Sequence, residues 1–552
     1  MRIPVATIVG WRGVGLLFLT CLAVPPHAVA GGAVGDGTPE SCTEAALEAA
    51  LASGGSVTFR CGSAPLKITV TSPKTIAKNT VLDGGGRITL SGGGTTRILS
   101  VTKHTALTLR NLSLTDGHGG QDQSDGAVGG AVYIREGKLS ATNCTFANNS
   151  AENLGGAIFN LLGRVTLTDC SFSNNSAGSG GAVETQSNLR FSITRSTFSN
   201  NSGGAIDSFS PGRGKATVDK CTFANNSGGA IKRSGLLAVS NSTFSNNSSG
   251  GGGGGIFHSA SRGGGRLSVT NCTFVSNSSA GYGGAIDSSG GKASEMLSVT
   301  NCTFVSNSST GSGGAIKRGS GKLAVANSSF SSNSARSGGA IASVNLTVTN
   351  STFANNSAGA ADVGGSGGAI DAGAGVAAVS NSTFFGNSST ANGGAIYSAY
   401  QLTVTNCTFS NNSAADDVPG FGPGGAAIHY LFVGGQVELS NTVIANSLSG
   451  ENCVGLGSGA DRGHNIDSGS SCDFDSSKGS FSDTDPKLDP AGLADNGGPT
   501  QTIAVLADSP AINGGNSRAC SMPPVGGYDQ RGWARTGFGS GSCTIGAYEF
   551  YP

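Results

Sequence analysis

The sequence predicts an all-β protein, a parallel β-helix, and three observations support that prediction. A motif centred on Phe recurs eleven times within residues 127–449, at a mean spacing of about 26 residues. Each copy holds short runs in which Val, Leu, Thr and Ser alternate, a pattern typical of strands. Glycine accounts for 92 of the 552 residues, as frequent tight turns require. A repeat this regular indicates one supersecondary unit that stacks on copies of itself.

The first thirty residues have the pattern of a secretory signal peptide. Arg2 and Arg12 precede the apolar stretch Val14–Val24, which ends in the small-residue cleavage pattern Ala28-Val-Ala30. This stretch is too short to cross a bilayer as a helix, and no later stretch is apolar for long enough. We therefore expect a secreted or extracellular protein, either free or associated with the cell surface, with no membrane span in its mature chain.

Residues 31–126 are predicted to form an N-terminal cap and the first irregular coils. The segment Glu40–Ser53 is rich in Ala and Leu and ends before Gly54-Gly55, which predicts a helix. Such a helix would cover the strand edges that the first coil of a β-helix exposes. In an oxidising compartment, local cysteine pairs are expected to form disulfides. The pairs are Cys42 with Cys61, Cys453 with Cys472, and Cys520 with Cys543.

Residues 127–449 form the regular repeats. Each copy has Phe, then Asn three residues later followed by Ser, and between copies lies Gly-Gly-Ala-Ile or Gly-Gly-Ala-Val. Because coils stack about 4.8 Å apart, we expect Phe to form an internal ladder. We expect the Asn to adopt left-handed turn geometry and to hydrogen-bond the neighbouring coils. A degenerate twelfth copy has Val443 in place of Phe. The Phe residues are Phe146, Phe172, Phe198, Phe223, Phe244, Phe274, Phe304, Phe330, Phe353, Phe384 and Phe409.

Six cysteines share a position two residues before Phe, so they point into the core beside it. A free cysteine behaves as a small core hydrophobe, which favours stacked buried thiols over nucleophiles. Neighbouring pairs could instead form disulfides, because the coil spacing lies within disulfide reach. The six are Cys144, Cys170, Cys221, Cys272, Cys302 and Cys407.

Residues 450–552 lack the repeat and contain a different set of motifs. These are Asp495-Asn-Gly-Gly-Pro-Thr-Gln-Thr502, Ser509-Pro-Ala-Ile-Asn513, Asp529-Gln-Arg-Gly532 and Cys543-Thr-Ile-Gly-Ala-Tyr-Glu549. The set resembles the choice-of-anchor Q domain of bacterial exported proteins, and the preceding repeats resemble those of polymorphic outer membrane proteins. The resemblance implies a secreted or surface-displayed right-handed β-helix of the pectin-lyase-like fold, with an irregular C-terminal cap domain. It implies no particular activity.

The charge balance excludes one class of partner. Lys plus Arg and Asp plus Glu each number 33, so the formal net charge is zero. A nucleic-acid-binding protein needs surplus cations to neutralise phosphates. We therefore expect no nucleic-acid partner, and an extracellular polysaccharide or surface protein instead.

One outward column offers binding chemistry, at the residue that follows each Gly-Gly-Ala-Ile or Gly-Gly-Ala-Val. Aromatic rings in such a column could stack on sugars, and charged groups could bind hydroxyls or uronates. The alternative is a solvated column in which Asp and Lys of neighbouring coils form weak ion pairs. The candidate residues are Tyr133, Glu184, Asp207, Lys232, Asp287, Lys317, Asp371 and Tyr397.

The sequence favours adhesion, carbohydrate contact or structural display without catalysis over a polysaccharide lyase or glycoside hydrolase. Glycoside hydrolysis needs two carboxylates across the scissile bond, but Asp207 is followed by Lys232, so acids look isolated within the column. Lys232-Arg233 and Lys317-Arg318 could supply a base for a lyase. No cofactor is expected. The Gly-rich loop with Asp116, Asp122 and Asp125 could bind calcium, although an ordinary exposed loop is the favoured interpretation.

Overall fold

The computed structural model describes residues 30–552 except 121–125, 210–213, 260–264, 291–294, 360–364, 416–421, 432–433, 458 and 536–541. Short strands pair in parallel with the equivalent segment of the next coil. Phe274, for example, pairs with Phe244 on one side and Phe304 on the other. Sheets of 30, 15 and 6 such strands run along the molecule. The predicted parallel β-helix is confirmed.

The Ile sheet consists of the 15 strands that, in the repeats, follow Gly-Gly-Ala. Its strands are Lys74–Ile76, Leu99–Val101, Val132–Arg135, Ile158–Leu161, Val183–Gln186, Ile206–Phe209, Ile231–Ser234, Ile256–Ser259, Ile286–Ser289, Ile316–Arg318, Ile341–Ser343, Ile370–Asp371, Ile396–Ser398, Gly425–Tyr430 and Glu451–Val454. Each strand of the six-stranded Ser sheet begins at the Ser of the Asn-Ser motif. Its strands are Ser248–Ser249, Ser278–Ser279, Ser308–Ser309, Ser334–Ala335, Ser357–Ala358 and Ser388–Ser389.

The Phe sheet holds the strand with Phe and the strand before it in each coil. Its N-terminal strands are Ala30–Val34, Gly55–Phe59, Leu66–Thr69, Thr80–Ser91, Ala106–Thr115, Lys138–Thr142, Thr145–Ala147, Arg164–Thr168, Ser171–Ser173, Phe191–Thr194, Thr197–Ser199, Lys215–Asp219, Thr222–Ala224, Leu236–Ser240 and Thr243–Ser245. Its C-terminal strands are Leu267–Thr270, Thr273–Val275, Met296–Thr300, Thr303–Val305, Lys322–Ala326, Ser329–Ser331, Asn345–Thr349, Thr352–Ala354, Val376–Ser380, Thr383–Phe385, Gln401–Thr405, Thr408–Ser410, Val437–Ser440, Val443–Ala445 and Ile466–Asp467.

Four strands lie outside these sheets. They are the parallel pair His118–Gly119 with Ser150–Ala151 and the antiparallel pair Leu488–Ala494 with Thr502–Val505. The α-helices are Glu44–Ala52 and Ser517–Ser521, and the 3₁₀ helices are Pro39–Ser41 and Ser476–Lys478. In the part of the chain that the structure describes, no helix is both long and apolar enough to cross a membrane.

The eleven Phe rings form a continuous stack inside the β-helix, as predicted. Successive ring centroids lie 4.6–4.9 Å apart, with planes nearly parallel. The prediction for the twelfth copy is wrong by one residue, because Ile444, not Val443, pairs with Phe409. Ile444 is fully buried, so an aliphatic side chain ends the aromatic stack.

The Asn column forms a second internal ladder. The Asn277 amide nitrogen donates to the Phe244 carbonyl (2.9 Å) and to Oδ1 of Asn307 (3.0 Å), the equivalent residue of the next coil. The predicted left-handed geometry belongs to a different residue. The positive φ falls on the residue before the ladder, as at Asn246 (φ 53°) and Ser276 (φ 53°). Because the preceding residue makes the turn, the ladder Asn can point inwards and hydrogen-bond backbone groups of the neighbouring coils.

The cysteines divide as the sequence predicts. Disulfides join Cys42 to Cys61, Cys453 to Cys472, and Cys520 to Cys543. The six repeat cysteines are buried and free, which decides between the two alternatives for them. They fill core space beside the Phe stack.

The N-terminal helix Glu44–Ala52 buries Leu47 and Leu51 at the end of the coil stack. The Thr43 hydroxyl accepts a hydrogen bond from the Ala46 amide, which fixes its first turn. The helix begins later than the sequence predicts because Pro39–Ser41 forms a 3₁₀ turn.

The irregular C-terminal region also covers the side of the β-helix, over the outer face of the Phe sheet. There it meets one column of threonines on consecutive coils. Thr352 donates to the Gln501 carbonyl (2.5 Å), and Thr383 donates to Gln530 Oε1 (2.6 Å). The Thr408 hydroxyl accepts from the Ala547 amide (3.0 Å). The region is therefore hydrogen-bonded along several coils.

Buried ion pairs explain why the C-terminal motifs are charged. Arg531 pairs with Asp529 (2.7 Å) and Arg535 with Glu549 (3.4 Å), all four being almost fully buried. The Glu549 amide also donates to Asp529 (3.0 Å), which joins the two pairs. Because each buried charge has partners, the network can hold irregular backbone in place without regular strands.

Candidate functional site

The residues after Gly-Gly-Ala-Ile or Gly-Gly-Ala-Val lie in one continuous column on the outer side of the Ile sheet, here called the outer column. Neighbouring members are paired in exact strand register from coil to coil. In chain order the outer column is Tyr133, Phe159, Glu184, Asp207, Lys232, Phe257, Asp287, Lys317, Ala342, Asp371, Tyr397 and His429. Every candidate binding residue that the sequence indicates stands in it.

Of the solvated alternative, the ion pair between neighbouring coils is present, as Asp207 with Lys232, but acids of the column are buried. Glu184 is only 3% exposed and Asp207 only 8% exposed. The preceding Gly-Gly turn causes this burial, because its left-handed Gly180 (φ 59°) passes directly over the strand. A Cβ at Gly180 would lie 2.9 Å from the Glu184 Cα. Glycine is required at this close approach, so the turn forms one wall of a groove.

Two carboxyl groups lie side by side in the groove, contrary to the expectation that acids are isolated. Glu184 pairs in register with Asp207 on the next coil. Asp207 forms an ion pair with Lys232 (2.8 Å) and accepts a hydrogen bond from the Ser179 hydroxyl (2.5 Å). Burial and the neighbouring Asp207 charge raise the pKa of Glu184 to about 8. At neutral pH Glu184 is therefore a protonated acid beside a carboxylate.

These groups border an open cavity of about 410 Å³. Phe209 and Phe257 provide its aromatic walls, while Glu184, Asp207 and Lys232 provide its polar groups. Phe209, which is half exposed, is a residue that the sequence analysis missed. The strand pattern could have identified it, because Phe209 lies two positions after Asp207 and side chains two positions apart in a strand point to the same side. Rings and hydrogen-bonding groups together suit a sugar.

The basic residues beside this column do not act as the predicted exposed bases. Arg233 and Arg318 point inwards and are almost fully buried. An Arg233 guanidinium nitrogen donates to the Gly214 carbonyl (2.6 Å), and one of Arg318 donates to the Ser288 hydroxyl (2.7 Å). Between them His258 donates through Nε2 to the Gly235 carbonyl (2.7 Å). Burial lowers the pKa of His258 to about 4, which keeps the ring neutral.

The C-terminal half of the outer column also contains buried acids and aromatic residues, but no two of its acids lie on consecutive coils. Asp287 is buried beside the Ser289 hydroxyl (2.5 Å), and burial raises its pKa to about 6. Lys317 lies next to it in register. Burial also raises the pKa of Asp371. Tyr397 stacks on His429 with ring centroids 5.9 Å apart.

The N-terminal end of the outer column is aromatic. Tyr133 stacks on Phe159 (5.8 Å between centroids), and the Arg97 guanidinium lies 4.9 Å from the Tyr133 ring. A second cavity, of about 760 Å³, extends from this point along the first coils. Lys103 and Arg135 also line it. The groove therefore has space at two places along one face.

The loop candidate for calcium does not join the outer column. Asp116 lies at the edge of the Phe sheet, where it pairs with Lys67 (3.0 Å) and accepts from the Ser91 hydroxyl (3.1 Å). Asp122 and Asp125 lie outside the described residues. Among the described residues no group of three or more His, Cys, Asp or Glu side chains could hold a metal ion.

A family profile described as right handed beta helix region matches residues 66–236, 129–295 and 285–478. The chain belongs to this family. No curated protein matches it in sequence.

Solved structures with similar folds share little sequence with the chain. The surface adhesin PfbA of Streptococcus pneumoniae is 12% identical, over 64% of this chain and 92% of that one, with a TM-score of 0.32. The catalytic unit of a GH87 α-1,3-glucanase from Streptomyces thermodiastaticus is 13% identical over 74% and 68% (TM-score 0.26). The A-module of a mannuronan C-5 epimerase from Azotobacter vinelandii is 12% identical over 78% and 97% (TM-score 0.23). At these identities the likeness concerns the fold alone.

Proposed function

We propose that this protein is an exported β-helix that binds an extracellular polysaccharide in the groove of the Ile sheet. The observation that carries the proposal is the cavity at Glu184, Asp207 and Lys232 with Phe209 and Phe257 as its walls. Sugar rings present an apolar face to aromatic side chains and hydroxyls to charged groups, which is the pairing of surfaces found here. Adhesion or surface display would then follow from holding such a polymer.

The direction of the groove suits a polymer. The outer column runs along the axis of the β-helix, and its coils repeat about every 4.8 Å. Partly exposed aromatic side chains occur in the middle of the column, at Phe257, and near its C-terminal end, at Tyr397. A chain of several sugars could contact these rings in succession, whereas a small molecule would contact one cavity only.

A catalytic alternative has support from one specific observation, the neighbouring carboxyl groups of Glu184 and Asp207. This pair supplies the two carboxyl groups that a glycoside hydrolase needs, whereas of the bases expected for a lyase Arg233 and Arg318 face the interior and Lys232 is paired with Asp207. Binding remains the principal proposal, since it requires only the groove.

Affinity electrophoresis of the full chain in gels that contain dextran, laminarin, galactomannan, xylan, polygalacturonate or alginate tests the proposal. We expect retardation by at least one polymer. Phe209→Ala and Phe257→Ala should each weaken it about tenfold, since about 1.4 kcal/mol of lost stacking corresponds to that factor.

Tyr528→Ala is the matched control, because Tyr528 is comparably exposed but lies in the C-terminal region that covers the Phe sheet. Retardation that is equally reduced in this control would place binding elsewhere. No retardation by any of the six polymers would overturn the proposed function.

A further inference from the structure

We propose that Glu184 and Asp207 form a retaining glycoside hydrolase site that cleaves a neutral polysaccharide bound in the groove. Glu184 is the general acid and Asp207 the nucleophile. This inference rests on the proposed polysaccharide binding and adds an activity to it.

The placement of the two groups fits this chemistry. They occupy equivalent positions on consecutive parallel strands, and such strands lie about 4.8 Å apart. Retaining glycosidases hold their two carboxyl groups about 5–5.5 Å apart, whereas inverting enzymes need a wider gap for a water molecule. The strand spacing of the β-helix thus places the two carboxyl groups nearer to the retaining separation than to the wider inverting one.

The surroundings give the two carboxyl groups different roles. Glu184 Oε2 is buried and has no hydrogen-bond partner among the described residues, although its side chain borders the cavity. A native structure rarely leaves such an atom unsatisfied unless a ligand or a reaction uses it. Asp207, in contrast, is oriented by Ser179 and balanced by Lys232. One group is thus free to transfer a proton, while the other is held as an anion.

The reaction balances with water as the only co-reactant. Glu184 donates its proton to the glycosidic oxygen as the bond between that oxygen and the anomeric carbon breaks, and the electron pair leaves with the oxygen. A carboxylate oxygen of Asp207 bonds to the anomeric carbon and forms a glycosyl ester. Glu184, now ionised, takes a proton from water. The hydroxide oxygen attacks the anomeric carbon and the Asp207 carboxylate is released.

The charges in the cavity indicate a neutral substrate. Asp207 carries a negative charge in the cavity, and the Lys232 ammonium is already paired with it. A uronate beside Asp207 would meet like charge, because Lys232 is already paired and the Arg233 guanidinium is buried towards the core, so binding energy would be lost. Neutral hydroxyls and rings avoid this repulsion and still contact Phe209 and Phe257.

The test uses the full chain with dextran, laminarin, galactomannan, xyloglucan, arabinoxylan and polygalacturonate, and measures new reducing ends. We expect cleavage of one neutral polymer and none of polygalacturonate. Glu184→Gln and Asp207→Asn should each lower the rate at least a hundredfold. Asp169→Asn should not, because Asp169 forms an exposed ion pair with Arg195 on the Phe sheet. Melting curves check that each variant folds.

Two further measurements address the mechanism itself. Proton NMR of the first products should show the same anomer that the cleaved bond had. The rate should fall as pH rises through about 8, where Glu184 loses its proton. Inversion, or an active Asp207→Asn variant, would overturn the assignment.

Other outcomes separate the two proposals. Binding of a neutral polymer without cleavage by the wild-type chain would overturn the hydrolase and leave the binding function. Cleavage of polygalacturonate alone would overturn the neutral substrate. No binding to any polymer would overturn both.

Discussion

The interior of the β-helix and the outer column of the Ile sheet are built on the same coils but follow opposite rules. Inside, Phe and Asn occur in coil after coil, and each contacts its own kind above and below. In the outer column, acids, bases and aromatic residues follow one another in no fixed order. Uniform columns stabilise every coil in the same way, whereas a varied column makes one coil different from the next. In this protein, the cavity that could bind a ligand therefore lies where the outward residues of neighbouring repeats differ.

Removing one ring of the Phe stack should have the largest effect on the free energy of unfolding. Phe274 is fully buried between Phe244 and Phe304. Phe274→Ala should lower the free energy of unfolding by about 3–5 kcal/mol, because it leaves a cavity that neighbouring coils cannot close. Urea unfolding measures this loss. The outward-facing Val275→Ala is the control, and equal losses would contradict the proposed importance of the stack.

Interrupting the Asn ladder should cost somewhat less. Asn277→Ala removes the donors to Phe244 and Asn307 and leaves buried backbone groups unsatisfied. We expect a loss of about 2–4 kcal/mol in the same unfolding measurement. Ser278→Ala, one residue on, is the control. A loss within the error of that control would mean that water replaces the Asn side chain.

A change in the outer column should instead affect how stability depends on pH. Burial and Asp207 raise the pKa of Glu184 from 4.5 to about 8. Below pH 4.5 Glu184 is protonated in both the folded and the unfolded chain. Between pH 4.5 and 8 only the unfolded chain ionises, so its contribution to stability falls as pH rises.

Glu184→Gln lacks this ionisation. It should therefore gain stability relative to the wild type as pH rises, by on the order of 4 kcal/mol between pH 4.5 and pH 8. Thermal unfolding of both proteins at pH 4.5, 6 and 8 measures the difference. A difference that stays constant over this range would refute the raised pKa.

An exposed ion pair between coils should have the smallest effect. Arg195 and Asp169 pair across adjacent coils of the Phe sheet (2.7 Å), but both remain in solvent. Arg195→Ala should leave the melting temperature unchanged within error, because solvent and salt screen such pairs. A clear decrease would show that outward columns stabilise the β-helix as the interior does.

The sequence was most informative where residues repeat. The spacing of Phe and Asn predicted the coil, the core stack and the inward cysteines, because each contact joins equivalent positions. It misplaced the end of the stack, since Val443 precedes the residue that replaces Phe. Only the actual strand register, in which Ile444 pairs with Phe409, distinguishes the two.

The site was less predictable, since burial there depends on the path of the chain rather than on residue type. The sequence placed Glu184 and Asp207 in one column, but it could not show that the turn at Gly180 covers that column. Because Lys232 follows Asp207 in the column, the sequence suggested an isolated acid, although Glu184 precedes Asp207 in the same column. Likewise, the inward direction of Arg233 follows from its place in a strand, and a charged side chain at such a position is unexpected.

The C-terminal region attaches to the coils of Thr352, Thr383 and Thr408, whereas the Glu184–Asp207 cavity lies in much earlier coils. The coils between them include a thirteen-residue segment that occurs twice, at 267–279 and at 297–309, Leu-Ser-Val-Thr-Asn-Cys-Thr-Phe-Val-Ser-Asn-Ser-Ser. Duplicating or deleting one such coil changes the length of the rod by about 4.8 Å and preserves both ends. The distance between the groove and the C-terminal region can thus evolve in single steps, by copying one repeat of the gene.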